Sequence, residues 1–123
     1  MSQMAENASN EPVTDDPFLQ ALTALESVMA DNERRSALIK KRMARIRKAR
    51  ARGLPYSDSV ADENGPLIVQ LLTESSTALD ICGSNVRRAE AQALHDEGMT
   101  MERIAKHFGV TRQRVSALLR KGR

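Results

Sequence analysis

The chain's richest run of hydrogen-bond donors lies near its C-terminus. Thr111, Arg112, Gln113, Arg114, Ser116, Ala117 and Arg120 fall within a single short stretch. A guanidinium pairs bidentately with a phosphate or with the edge of guanine. A glutamine amide pairs with adenine, and a small apolar side chain fits a thymine methyl. Arg112, Gln113 and Ser116 are therefore candidates for contact with base edges, with Ala117 on a thymine methyl. Thr111, Arg114 and Arg120 suit either bases or phosphates. Arg87, Arg88, Arg103, Lys106, Lys121 and Arg123 are candidates for phosphate contacts, which position a protein without reading sequence.

Such a row needs a rigid mount, and the flanking residues supply one. The stretch MERIAKHFGVTRQRVSALLR, Met101 to Arg120, reads as a short helix, a tight turn and a second helix. Ile104, Ala105, Phe108, Val110, Val115 and Leu118 fall where two crossing helices need apolar contacts, and small Ala105 lets them approach closely. Gly109 sits at the turn, where a left-handed backbone costs glycine little. Thr111 is placed to cap the second helix through the N–H of Gln113 or Arg114. Val110 and Val115 are spaced as a hydrophobic staple across that cap. An αα-hairpin in a helical bundle is the alternative, but it has no need of Arg, Gln and Arg opening its exposed helix.

The run Ile104-Ala105-x-x-Phe108-Gly109-Val110-Thr111-Arg112-Gln113-Arg114-Val115 resembles the helix-turn-helix of bacterial regulators. It is most similar to the DNA-binding end of primary sigma factors, and the arrangement of the rest looks like small actinobacterial helix-turn-helix proteins. The resemblance covers Val86 to Arg123. It implies double-stranded DNA as a partner and RNA polymerase as a second one. The other sigma-factor regions are lacking, so the chain is not expected to start transcription by itself.

At 123 residues the chain is one domain, or a small domain with an extension. A helix-turn-helix alone is too small to bury a secure core, so neighbouring helices or a second copy must add apolar area. The net charge is only +3, but its distribution is uneven. Residues 1–33 hold seven acids and no base, and residues 34–52 hold ten bases and no acid. Residues 53–86 hold five acids and no base, and residues 87–123 hold nine bases against four acids. Two basic blocks between acidic ones suggest polyanion contact at two places.

Residues 1–15 are polar, lack periodicity and are expected to be disordered. Residues 16–52 read as one long helix, capped by Asp15 or Asp16, with Pro17 in its first turn and no further Gly or Pro until Gly53. Phe18, Leu22, Leu25, Met29, Asn32, Ser36, Ile39, Met43 and Ile46 recur at alternating four- and three-residue spacing, a coiled-coil-like seam. A buried Asn32 would fix register. The seam fits either a homodimer contact or a hairpin within one chain. The basic run Lys40 to Arg52 suits phosphate contact, a solvated helix face, or pairing with the acidic segment that follows.

Residues 53–65 are rich in Gly, Ser, Asp and Asn and read as a loop. Residues 66–84 form a middle helix opened by Pro66, with an apolar stripe of Ile68, Leu72, Ser75, Leu79, Cys82, Val86, Ala89 and Ala93 running on past it. Gly83-Ser84 is a place for a kink or break. Residues 85–123 then form the three-helix DNA-binding unit, its first helix ending at Gly98. The fold class is all-α.

Cys82 is the only cysteine, so an internal disulfide is impossible. On the apolar stripe it reads as a buried, inert thiol. His95 and His107 lack partners at metal-ligand spacing, and no phosphate-cradling loop or nucleophile elbow is present. No enzyme activity, metal or cofactor is expected. Without a signal peptide or an apolar run of membrane length, the expected location is the cytoplasm, at the nucleoid. The function expected is a sequence-specific transcription regulator acting as a homodimer. The alternatives are a nucleoid-associated protein, a polymerase-binding accessory protein, or an antitoxin-like repressor whose N-terminal helix holds a protein partner.

Overall fold

The computed structural model describes residues 15–61 and 67–121. The rest of the expected N-terminal tail, the Asn64-Gly65-Pro66 helix start and Arg123 lie outside the described residues, as do the side chains of Ala61 and Lys121. Among the described residues the fold is all-α with five helices: α1 (Pro17–Ala51), α2 (Tyr56–Ala61), α3 (Ile68–Asp96), α4 (Met101–Phe108) and α5 (Arg112–Lys121). The chain divides into two compact units. One comprises residues up to Glu26 together with those from Ile81 onward, and the other is Ser27–Asp80.

Asp16 starts α1. Its Oδ1 accepts the N–H groups of Phe18 at 2.9 Å and Leu19 at 3.3 Å, satisfying donors that the first turn leaves free. Gly53 ends the helix region at φ 86°, a left-handed conformation that a Cβ would resist.

Within Ser27–Asp80, α1 and α3 run antiparallel. Arg35 Nε donates to Ser75 Oγ at 2.8 Å, and Ile46 shares an apolar cleft with Leu67, Ile68 and Val69. The inward row of α1 is Val28, Asn32, Arg35, Ile39, Arg42, Ile46 and Ala49, with Arg42 and Ala49 buried. It shares Asn32, Ile39 and Ile46 with the seam read from the sequence. Met29, Ser36 and Met43 instead face solvent, and Val28, Arg35 and Arg42 take their places. Arg35 is accommodated there by a polar partner on α3. Ser75 of α3 accepts from Arg35 across the pair, and Arg35 Nη2 also donates to Asn32 Oδ1 at 2.7 Å. On α3 the same rotation puts Leu71 and Ala78 inward and leaves Leu72 and Leu79 exposed.

Two further expectations change. The segment 53–65 is not all loop, because α2 forms inside it. Pro55 O accepts from the N–H groups of Asp58 and Ser59, the Ser59 side chain is buried, and the Arg50 guanidinium lies 4.5 Å over the Tyr56 ring. The break allowed at Gly83-Ser84 does not occur, and α3 continues through it. A mid-helix glycine costs about 1 kcal/mol. Burial of Leu71, Cys82 and Ala91 along the same helix outweighs that, since one buried leucine contributes about 2 kcal/mol. Cys82 is buried, as its place on the stripe implied.

In the other unit, the last turns of α3 pack with α4 and α5 around one cluster. Ala91, Ile104, Ala105, Val115, Leu118 and Leu119 are buried, with Leu94, Met99, Met101 and Phe108 closing its edge. Gly98, at φ 100°, ends α3 and lets the chain turn into α4.

Candidate nucleic-acid interface

The mount of the C-terminal donor row is built from caps at each bend. Thr100 opens α4, its Oγ1 accepting the Arg103 N–H at 3.3 Å. This cap was not singled out from the sequence, although a Thr three residues before Arg103 carries the signal. Gly109 closes α4 at φ 69°, ψ 36°, and Val110 N–H reaches back to Ala105 O at 2.9 Å. Thr111 Oγ1 then accepts the Arg114 N–H at 3.1 Å and starts α5. Val110, just before this cap, is 40% exposed, and Val115, four residues after it, is fully buried.

α5 has two unlike faces. Val115, Leu118 and Leu119 enter the core. At 100° per residue, Gln113, Ala117 and Arg120 lie opposite them. Thr111, Arg112, Gln113, Arg114 and Arg120 are exposed, and Ser116 and Ala117 are half-buried. The face is therefore a polar rod of helix standing clear of its own core.

Arg112 is not directed outward alone. Its Nε lies 3.3 Å from Glu102 Oε1 of α4, with both side chains well exposed. Helical spacing does not mark this pair, because the contact crosses the turn from α4 to α5. The pair orients the guanidinium and partly neutralises it. In high dielectric such a pair contributes at most about 1 kcal/mol. Glu102→Gln is therefore expected to leave folding intact and tighten DNA binding about threefold at low salt. The slope of log affinity against log salt should steepen by up to about one charge. Weaker binding by the variant in a salt titration would show instead that the carboxylate holds Arg112 in its reading position.

The other basic candidates are spread around this unit. Arg103 and Lys106 are exposed on α4. Arg87 is exposed on the side of α3 that carries Ala91 and Leu94, and its guanidinium lies over Gly83, 3.5 Å from where a Cβ would stand. Arg88 is half-buried, donates to Asn85 Oδ1 at 3.3 Å, and lines a cleft with Pro17, Gln20 and Ala21 at the start of α1. Lys121 is the last residue of α5. Among the described residues no group of three or more His, Cys, Asp or Glu converges, and no helix is long and apolar enough to cross a membrane.

A capped helix, a glycine turn and a second capped helix braced by a third define a helix-turn-helix. Residues 83–121 match a family described as the homeodomain-like domain, so this segment is a homeodomain-like helix-turn-helix domain. The match begins inside α3, at the glycine that the helix runs through. No curated protein and no solved structure matches the chain significantly.

Proposed function

We propose that this protein is a sequence-specific DNA-binding transcription regulator, acting as a homodimer at the nucleoid of the cytoplasm. The observation that carries this is the exposed row on α5, backed by a core that fixes its orientation. α5 enters the major groove with Arg112, Gln113 and Ser116 at base edges and Ala117 near a thymine methyl. Thr111, Arg114 and Arg120 serve bases or the adjoining phosphates, and Arg87, Arg103 and Lys106 serve phosphates. A homodimer presents two such helices and so reads two half-sites. The sigma-like run Ile104–Val115 supports RNA polymerase as a second partner of the same unit.

A nucleoid-type binder with little sequence preference is the second reading. What favours it is the exposed run of Lys40, Lys41, Arg45, Arg47 and Lys48 along α1, a second place for phosphates. Selection of bound duplexes from a random pool separates the two. A regulator is expected to enrich one motif, with half-site spacing near a helical turn or a multiple of it, and to hold that site against excess random DNA. Recovery of no common motif, together with full displacement by random DNA, would leave only the general binder.

A further inference from the structure

Among the described residues of Ser27–Asp80, an apolar face is exposed. Positions 28, 35 and 42 of α1 turn toward α3, and positions 71 and 78 of α3 turn toward α1. The next residue on each helix is rotated by about 100° from that contact. Because the two helices are antiparallel, equal rotations bring both rows to the same side of the pair. That side carries Met29 and Met43 from α1, 47% and 38% exposed, and Leu72 and Leu79 from α3, 51% and 42% exposed. Four large apolar side chains exposed in one field of a two-helix layer mark an interaction surface.

We infer that this face is the contact between two copies of the chain, with α1 packed antiparallel on α1 of the second copy and α3 on α3. The inference rests on the homodimer reading above and says where that dimer forms. The sequence of the face is self-complementary about a two-fold axis. An axis beside Ser36 sets Met29 against Met43 of the other copy, and Met43 against Met29. The same axis brings Glu33 opposite Lys40 twice, both exposed on this side of α1. On α3 it falls near Ser76 and sets Leu72 against Leu79. The Arg35–Ser75 hydrogen bond puts those two centres nearly level along the pair. Small serines near the axis let the helix backbones approach.

Charge decides the direction. α1 carries only acids before residue 34 and only bases from there to its end. Antiparallel copies place acid on base along their length, and parallel copies place like on like. Pairing α1 with α3 of the other copy would instead set Glu33 level with Thr77 and Lys40 level with Gln70, by the Arg35–Ser75 hydrogen bond, and neither is charged.

The test uses the full-length protein in sedimentation equilibrium. The wild type is expected to be a dimer. Glu33→Lys alone sets Lys on Lys, and Lys40→Glu alone sets Glu on Glu, so each should dimerise about tenfold more weakly. Mixed together, the two variants should recover a heterodimer as tight as wild type, because both pairs are then restored. Ser36→Cys should form a disulfide between copies under mild oxidation, while the wild type, whose Cys82 is buried, should not. A dimer that is indifferent to both charge changes, and that stays uncrosslinked when the Ser36→Cys variant is oxidised, would overturn this contact and leave the homodimer reading standing. A chain monomeric at high micromolar concentration would overturn both, and the face would belong to a different protein.

Discussion

Val115→Asp is expected to unfold the C-terminal three-helix unit and abolish DNA binding. Val115 has no exposed surface and touches the cluster that joins α3, α4 and α5. A carboxylate there has no partner. Leaving it charged and buried costs several kcal/mol, comparable to the whole stability of a small domain. The 18 residues of α4 and α5, eight and ten, should lose helical signal in circular dichroism. Affinity for any duplex should fall at least about a hundredfold, because the side chains of α4 and α5 proposed for phosphate contact are scattered together with the row proposed to read bases. Val110→Asp is the control. Its side chain is 40% exposed at the turn, so the same charge five residues away should leave the melting curve nearly unchanged. A Val115→Asp protein with wild-type helicity and melting would mean that the cluster does not hold the helix-turn-helix together.

The second large effect concerns reading rather than folding. Replacing Arg112 and Gln113 together by Ala removes the two side chains best suited to guanine and adenine. Each such contact discriminates by about 1–3 kcal/mol, so preference for a selected site over random DNA should fall at least roughly 30-fold. Helix content should not change. Both side chains are exposed, and the Arg112–Glu102 ion pair that the substitution removes is a surface pair of small energy. Binding to random DNA should weaken far less, since the remaining basic residues still neutralise phosphates. The ratio of the two affinities at fixed salt is the measurement. If it stays at the wild-type value, a different surface reads the sequence, and the basic run on α1 becomes the next to test.

The contrast between α5 and α1 shows where sequence reasoning reached and where it stopped. The helix-turn-helix is specified by local chemistry. The glycine at 109 is left-handed, Thr111 caps through its own side chain, and Ile104, Ala105, Val115 and Leu118 enter one core, all as their spacing implied. Signals of this kind act over a few residues, so one stretch of chain contains them whole. Leu119, Ala91 and Leu94 complete that core from positions that the turn motif does not mark.

On the long helices the amphipathic period was legible, but the face was not. By hydrophobicity alone, Met29 and Met43 belong inward and Arg35 and Arg42 outward. Which residue turns inward depends on what stands opposite, and Ser75 of α3 together with Asn32 holds a hydrogen-bonded arginine in place of a methionine. Gly83 within α3 and the short helix at Tyr56 follow the same rule, since packing outweighed a local preference of about 1 kcal/mol.

The sequence by itself determined that this chain is helical, where its C-terminal bend lies, and which donors its last helix carries. Caps, turns and residue types act locally and needed nothing from elsewhere in the chain. Only the tertiary structure decided that Glu102 holds Arg112 and which row of α1 meets α3. It also decided that four apolar side chains remain on one side of that pair. Each of these depends on residues that local spacing does not bring together, and whose meeting is set by the shape and size of the side chains between them.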